Sequence, residues 1–283
     1  MRRSIMGKNI GFVGLGTMGF PMAVNLKKAG FEVIGYDAFK GVYEKASAAG
    51  MTMVQTLREV ADQADEAMIS MVRDYPQNLA ILFGADGLLT GNTKGKTVIV
   101  MSTLDPELMS ELGAKVEAES DLKLVSAAVS GGASGAQAGT LSIMTSGAEA
   151  IVKSFKPYFE AMGSNTFYYG ENPGNSQVAK LVNNMILGIT MNAVAEGLKL
   201  GEHYKLPEQE ILNLLKVSTG DSWVVRNWSD VENWTAETAL AVLLKDLKSA
   251  FLEGVKYNVA LPFNALAATQ LFDSLGKQNS GAH

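Results

Sequence analysis

Cysteine is absent from this chain of 283 residues, and histidine is nearly so, with two. No cysteine means no disulfide, no thiolate nucleophile and no thiolate-held zinc, although it does not fix a compartment. His203 is the only internal histidine, so no histidine pair can make a metal site, and no metal is expected. Excess positive charge is missing too. The 24 Lys and Arg against 29 Asp and Glu leave a formal net charge of -5, which argues against nucleic acid or an anionic membrane as the main partner. Long apolar runs are also lacking. None reaches the roughly 18 residues of a membrane span, and no apolar signal core follows Arg2 and Arg3. A hydrophobic share of 47% and a charged share of 19% suit an ordinary globular protein of one large or two moderate domains. The expectation is a cytoplasmic enzyme.

What the chain does have is a strand, a glycine-rich turn and a helix between Asn9 and Asp37. Ile10-Gly11-Phe12-Val13 has the length of a buried strand and leads into Gly14-Leu15-Gly16-Thr17-Met18-Gly19, a G-x-G-x-x-G turn. Apolar spacing predicts a helix from Met18 to Ala29, stopped by Gly30. Gly14 permits the tight turn, Gly16 lets backbone approach a pyrophosphate, and Gly19 lets the helix pack on the strand. The helix N-terminus adds N–H groups and a positive dipole end. A second strand, Phe31 to Tyr36, ends in Asp37, at the roughly 20-residue distance where an acid meets the ribose hydroxyls of NAD. That carboxylate would repel the 2′-phosphate of NADP. Lys40 is the only nearby cation and no arginine follows. NAD is the expected cofactor, ahead of NADP. A tight turn without a ligand is the competing reading, and the strand, helix and acid around this turn weigh against it.

Strand–helix alternation continues. Helices are expected over 41–49, 57–64 and 77–83 and from Asp105-Pro106-Glu107, with strands over 51–54, 65–72, 97–101 and 122–125. Such units build a doubly wound parallel sheet with helices on both faces, an α/β fold whose ligands lie at the carboxyl ends of the strands. The loops beginning at Gly14, Val72 and Ser102 are thus expected to line one cleft, with Met71 and Val72 among the cofactor contacts. Ser126 to Ala136 is dense in small residues. It reads as a loop able to hold an anion through backbone N–H groups, or as a flexible crossover. A strand over 140–146, one helix over 149–162 and a last strand at Phe167-Tyr168-Tyr169 follow. Beyond Gly170 the pattern is all helical: a long helix from near 176 to about 205, then 208–217, 236–257 and 262–276. The expected division is a Rossmann-type NAD-binding domain over 1–171 and an all-helical substrate and oligomerisation domain over 172–283.

Lys180 and Asn184 stand one turn apart on one face of the long helix. A lysine desolvated in a cleft can give a proton to a developing alkoxide, and an asparagine one turn on can orient it or the substrate. A solvated surface lysine is the plainer alternative. His203 reads as a partly exposed helix residue. Trp223, Trp228 and Trp234 fall between helices and read as packing, with Trp223 a candidate pocket wall.

Several separate motifs now point the same way. The turn with its continuation Phe20-Pro21-Met22-Ala23-Val24-Asn25-Leu26, the loop Val129-Ser130-Gly131-Gly132 with Gly135-Ala136 and Gly139-Thr140-Leu141, the helix Lys180-Leu181-Val182-Asn183-Asn184 and the pair in Leu244-Lys245-Asp246-Leu247 span nearly the whole chain. With these motifs the chain resembles the β-hydroxyacid dehydrogenase family. The resemblance implies NAD-dependent interconversion of a small 3-hydroxy acid and its semialdehyde. It implies Lys180 as general acid and base, and Ser130, Gly131 and Gly132 as the holders of the substrate carboxylate. Asn184 would bridge substrate and lysine, and Thr103 would sit near the nicotinamide. Lys245 would reach the cofactor, and Asp246 would lie beside the cleft and pair with Lys180. A homodimer or homotetramer is the family-level expectation.

The chain also departs from the family's pattern. Ser126-Ala127-Ala128 replaces Asp-Ala-Pro before Val129, which tunes the shape of a loop that works through backbone groups. Gly174-Asn175-Ser176 replaces G-x-G before the lysine, which alters the domain connection. Met71-Val72-Arg73 replaces Met-Leu-Pro, and Arg73, close to the predicted cofactor edge, reads as touching the phosphates or as facing solvent, with solvent the expectation. The sequence stops at His283 where relatives run into a last helix, so a short or truncated C-terminus is expected. Two other classes stay open: an imine reductase, disfavoured by the lysine at 180, and a non-catalytic dinucleotide sensor, which has no need for Lys180, Asn184 and the Ser130 loop together.

Overall fold

The computed structural model describes residues 7–235 and 239–276. The expected helix start at Ala236 and the C-terminus at His283 lie outside them. The chain opens with β1 (Asn9–Val13), α1 (Gly19–Lys28), β2 (Glu32–Tyr36), α2 (Tyr43–Ala48), β3 (Thr52–Met53), α3 (Leu57–Gln63), β4 (Ala67–Ser70) and α4 (Tyr75–Phe83). Next come β5 (Thr97–Val100), α5 (Pro106–Glu119), β6 (Lys123–Ser130), α6 (Gly132–Ala138), β7 (Leu141–Ser146), α7 (Glu149–Ser154), α8 (Lys156–Met162) and β8 (Gly163–Tyr168). The helix expected from the Asp105-Pro106 signal is α5, and Asp105 Oδ1 accepts from Glu107 N–H at 3.0 Å to cap it.

The eight strands form one sheet in the order β3-β2-β1-β4-β5-β6-β7-β8. The sheet is doubly wound as expected, and side chains alternate between its faces. Ile10, Phe12, Ile69, Ile99 and Val125 pack under α1 and α8 on one side; Val13, Met68, Val98 and Val100 pack under α3, α4 and α5 on the other.

Three sequence expectations need correction. β6 and β7 run antiparallel, so the sheet is only mostly parallel. The link from Ser130 to Leu141 holds just the short α6, less than a parallel crossover needs. The stretch from Ser126 to Ala136 is not a loop either. β6 runs through it to Ser130, with Ala127 and Ala128 fully buried between neighbouring strands, and α6 starts at Gly132. The single helix expected over 149–162 divides at Phe155, because Pro157 has no N–H with which to continue the ladder.

After β8 comes α9 (Gly174–His203), and the two compact units of the chain divide inside it, one running through Lys180 and the other starting at Leu181. The second unit is helical, with α10 (Glu208–Leu215), α11 (Trp223–Arg226), α12 (Trp228–Val231), α13 (Ala239–Lys256) and α14 (Pro262–Ser274). Met191, Val224, Trp228, Leu240, Leu247 and Leu271 are among its buried residues. Trp223 and Trp228 open short helices that the sequence pattern did not announce. Trp228 is buried, while Trp223 is half exposed with its ring tilted against Trp234. By length and mean hydropathy, 1.3 over its best window, α9 is long and apolar enough to cross a membrane; nearly half of that window is buried, as in the core helix of a folded domain.

Candidate active site

The carboxyl ends of β1, β4, β5 and β6 share one edge, because these strands are parallel and in register from Val13 to Ser70, Val100 and Ser126. Turn residues follow the first of them. Gly14 has φ +93°, and a Cβ there would lie 2.3 Å from the carbonyl oxygen of Met71; a Cβ on Gly19 would lie 1.9 Å from the carbonyl oxygen of Gly14. Turn and helix therefore touch backbone to backbone. A Cβ on Gly16 would enter open space, so the peptide face there is uncovered, as close approach by a pyrophosphate requires. Thr17 and Met18 lead from it into α1, and Leu15 is buried beneath.

Asp37, at the end of β2, ties this turn down. Its Oδ2 accepts from Leu15 N–H and its Oδ1 from Phe39 N–H, each at 2.7 Å. An ionised carboxylate has about four acceptor positions, so two remain for ribose hydroxyls. Lys40 Nζ bonds the Tyr43 hydroxyl at 2.6 Å and lies over the rings of Tyr36 and Tyr43, which occupies the one cation close to Asp37 in sequence. These features fit an NAD ribose and give nothing that selects a 2′-phosphate.

Met71 and Val72 follow β4, with Met71 N–H on the carbonyl of Val13 and Val72 N–H on Ser102 Oγ. Arg73 is exposed. Thr103, half buried, is flanked by Ser102 and Leu104, and both of these are held by Gln177 of α9. Ser130 closes β6, and the two residues after it need the backbone freedom of glycine: Gly131 has φ +134° and Gly132 has φ +63°. That bend starts α6, whose first-turn N–H groups have no carbonyl within the helix to bond.

Lys180 is buried, 9% exposed, and lies one turn beyond Gln177. In the second unit, Asn184 and Asp246 are buried together, and Asn184 Nδ2 donates to Asp246 Oδ2 at 2.6 Å. Asn184 Oδ1 accepts from Asn183 Nδ2 at 3.0 Å, so the amide orientation is fixed from both ends. Asp246 Oδ1 has no hydrogen bond of good geometry, yet it stands 3.2 Å from Lys245 Nζ. We read that contact as an ion pair, since charge attraction does not need hydrogen-bond alignment. His203 is exposed, its ring edge-on to Tyr204.

Sequence reasoning missed Gln177 and the bond between Ser126 and Ser176, and had Ser102 only as the start of a loop lining the cleft. The signal available was that Ser126 and Ser176 are both departures from the family's pattern, and the fold brings those departures into contact at 2.6 Å.

Comparison with known proteins agrees with this layout. Residues 9–170 match the family model for the NAD binding domain of 6-phosphogluconate dehydrogenase, and residues 174–283 match the model for the NAD-binding region of NADP-dependent 3-hydroxyisobutyrate dehydrogenase. The 2-(hydroxymethyl)glutarate dehydrogenase of Eubacterium barkeri is 32% identical over 100% of this chain and 94% of its own. The chain belongs to the β-hydroxyacid dehydrogenase family. Another member, the mitochondrial 3-hydroxyisobutyrate dehydrogenase of Mus musculus, is 37% identical over 78% of this chain, a match that spans 65% of the mouse protein. Among solved structures, a 3-hydroxyisobutyrate dehydrogenase from Salmonella typhimurium superposes with a TM-score of 0.83 at 27% identity, covering 94% of this chain and 93% of that one. Residues 9–170 are thus an NAD-binding domain.

Proposed function

We propose that this protein is an NAD-dependent oxidoreductase that interconverts a small 3-hydroxy acid and its semialdehyde, with Lys180 as general acid and base. One observation carries the reading. Lys180 is buried one turn beyond Gln177, whose side chain bonds the loop after β5 at the edge where Gly14 and Asp37 form an NAD cradle. NAD supplies the hydride acceptor, or in reduced form the hydride donor.

The chain's own residues do the rest. In reduction the Lys180 ammonium gives its proton to the carbonyl oxygen as that oxygen gains negative charge, and in oxidation the neutral amine takes the hydroxyl proton back. The Ser130 hydroxyl and the N–H groups of Gly131 and Gly132 receive the substrate carboxylate without adding a formal charge. Asn184, its amide fixed by Asp246 and Asn183, orients the substrate oxygen. A homodimer or homotetramer goes with this reading, supported by exposed Val182 and Ile186 one turn apart on α9 and exposed Leu252 and Val255 one turn apart on α13. A cytoplasmic location is part of the same proposal.

The test is NADH oxidation by the purified protein against succinic, methylmalonate and tartronate semialdehydes, glyoxylate, butanal and a cyclic imine. Donors built for an anion reject a neutral analogue by about 10⁴ in kcat/KM. Semialdehydes should therefore outrun butanal by a factor of that order. Butanal equal to the semialdehydes removes the carboxylate role of Ser130, a preferred imine replaces the reaction class, and NADH binding with no turnover of any carbonyl leaves a sensor.

A further inference from the structure

Gln177 is fully buried in the first turn of α9, and its carboxamide is used at both ends. Oε1 accepts from Leu104 N–H at 2.9 Å, while Nε2 donates to the carbonyl of Ser102 at 3.1 Å and to Ser126 Oγ at 3.0 Å. The side chain thus pairs with the two peptide groups that flank Thr103, as a neighbouring strand would. Ser126, having accepted from Gln177, has its own hydrogen to give, and Ser176 Oγ lies 2.6 Å away. Ser176 in turn donates to the carbonyl of Pro173 at 3.3 Å, and its N–H bonds Ser146 Oγ at 3.2 Å. Read in this direction, every hydroxyl of the chain gives one hydrogen and accepts one. Ser126, Ser176 and Gln177 are all fully buried.

A buried, satisfied network of this kind adds little net stability over an apolar filling of the same shape. What it adds is one fixed register between helix and loop, since any slip leaves several buried donors unpaired at once. Lys180 follows Ser176 and Gln177 at the spacing that puts all three on neighbouring positions of one helix side. Movement of this first turn carries Lys180 with it.

We propose that Gln177, seated on Ser126 and Ser176, is a positioning residue that sets Lys180 against the loop carrying Thr103. The inference rests on Lys180 being the acid and base. It assigns a task to Ser126 and Ser176: together they form the seat on which the glutamine is held.

The experiment is a double-substitution cycle on the full chain with a reactive semialdehyde and NADH. Gln177→Met keeps the side chain's length and removes its hydrogen bonds. It should lower kcat by about 10²-fold, the usual result of misplacing a catalytic group by about 1 Å, with KM for NADH little changed. Combined with Lys180→Ala, it should add almost nothing further, because a residue that works through Lys180 has no effect once Lys180 is gone. A loss that instead multiplies with that of Lys180→Ala, or a Gln177→Met protein with wild-type kcat, overturns the positioning role. Should Gln177→Met fail to fold, Ser126→Ala removes only the seat and should lower kcat by roughly 3- to 10-fold with the same non-additivity, as expected for losing one link of a shared network. If Lys180→Ala itself keeps its kcat, the acid–base reading and this inference fall together; if only the Gln177 and Ser126 variants are silent, the acid–base reading stands and this inference falls.

Discussion

The two edges of the sheet use buried polar residues in opposite ways, and two buried lysines show the difference. At the amino edge, Lys96 is 5% exposed and donates to the carbonyl of Ala61 at 2.5 Å, in the last turn of α3 where a cation suits the helix dipole. Around it, Glu66 is held between Lys8 and the hydroxyl of Tyr158. The recess on this edge, about 300 Å³, is lined by Glu66, Lys96, Asp121 and Lys123, so both signs of charge answer each other there. It lies at the opposite end of the strands from the NAD cradle. At the carboxyl edge the buried scaffold is neutral: Ser70, Asn78, Ser102, Ser126, Ser176 and Gln177 bond one another and nearby backbone. Lys180 is the buried charge at that edge among the described residues. The lysine at the amino edge bonds the last turn of a helix, whereas the lysine at the carboxyl edge stands one turn beyond the neutral frame that Gln177 joins.

Substituting the two lysines breaks this comparison most strongly. Lys180→Ala should lower turnover by about 10²- to 10⁴-fold, the usual worth of a placed acid and base, with the unfolding midpoint nearly unchanged. Lys96→Met should do the reverse, with kcat kept and stability altered. Burial already pushes the Lys96 pKa down, a sign that its charged form is held at a cost. Steady-state kinetics and urea unfolding on both variants check this, and a Lys96→Met protein with a large loss of kcat would erase the distinction between the edges.

Asp37 sharpens the same contrast, as a charge at the functional edge that also holds structure. Asp37→Ser removes the acceptor for Leu15 N–H and the charge that repels a 2′-phosphate. The ratio of kcat/KM with NADH to that with NADPH should fall by roughly 10- to 100-fold, the scale of one hydrogen bond to a charged group. Wild-type protein that uses NADPH as well as NADH would show that Asp37 serves the turn alone.

How much of this was legible in the sequence depends on the range of the interaction. The glycine turn, Asp37, the cap at Asp105 and the long helix with Lys180 and Asn184 are local patterns with fixed spacing, and the structure has each where spacing puts it. The strand at 140–146 was legible as β7, but its antiparallel direction was not, because the small-residue stretch before it reads equally well as loop or as the tightly packed end of β6. Gln177 was missed for another reason. Its partners Ser102, Leu104 and Ser126 are distant in the chain, and a lone polar residue near a helix start usually marks nothing more than a cap. The short helices at Trp223 and Trp228 carry too few residues for any period to show.

The smallest expected effect belongs to Tyr158, which should act on stability alone. Its hydroxyl meets Glu66 at the amino edge, and burial first, then that hydrogen bond, holds its pKa well above the usual 10.0. In the unfolded chain the phenol ionises as pH passes 10.0, while in the fold it keeps its proton. Above that pH the unfolded state binds fewer protons than the native one, so stability falls as pH rises; below it the contribution is fully present. Lys96 acts with the opposite sign, since its lowered pKa means that stability gains as pH climbs toward the ordinary lysine value of 10.5. Comparing wild type with Tyr158→Phe cancels the lysine effect. The variant should be about 1 to 2 kcal/mol less stable at about pH 8, the worth of a buried hydrogen bond to a carboxylate, and the gap should narrow by about pH 11. kcat should be unchanged, because the ring stays in place against Phe31 and Phe155 at the edge remote from Lys180. Urea unfolding at the two pH values with one kinetic measurement settles the matter: a gap that stays constant with pH means Tyr158 is not the group whose ionisation the fold suppresses.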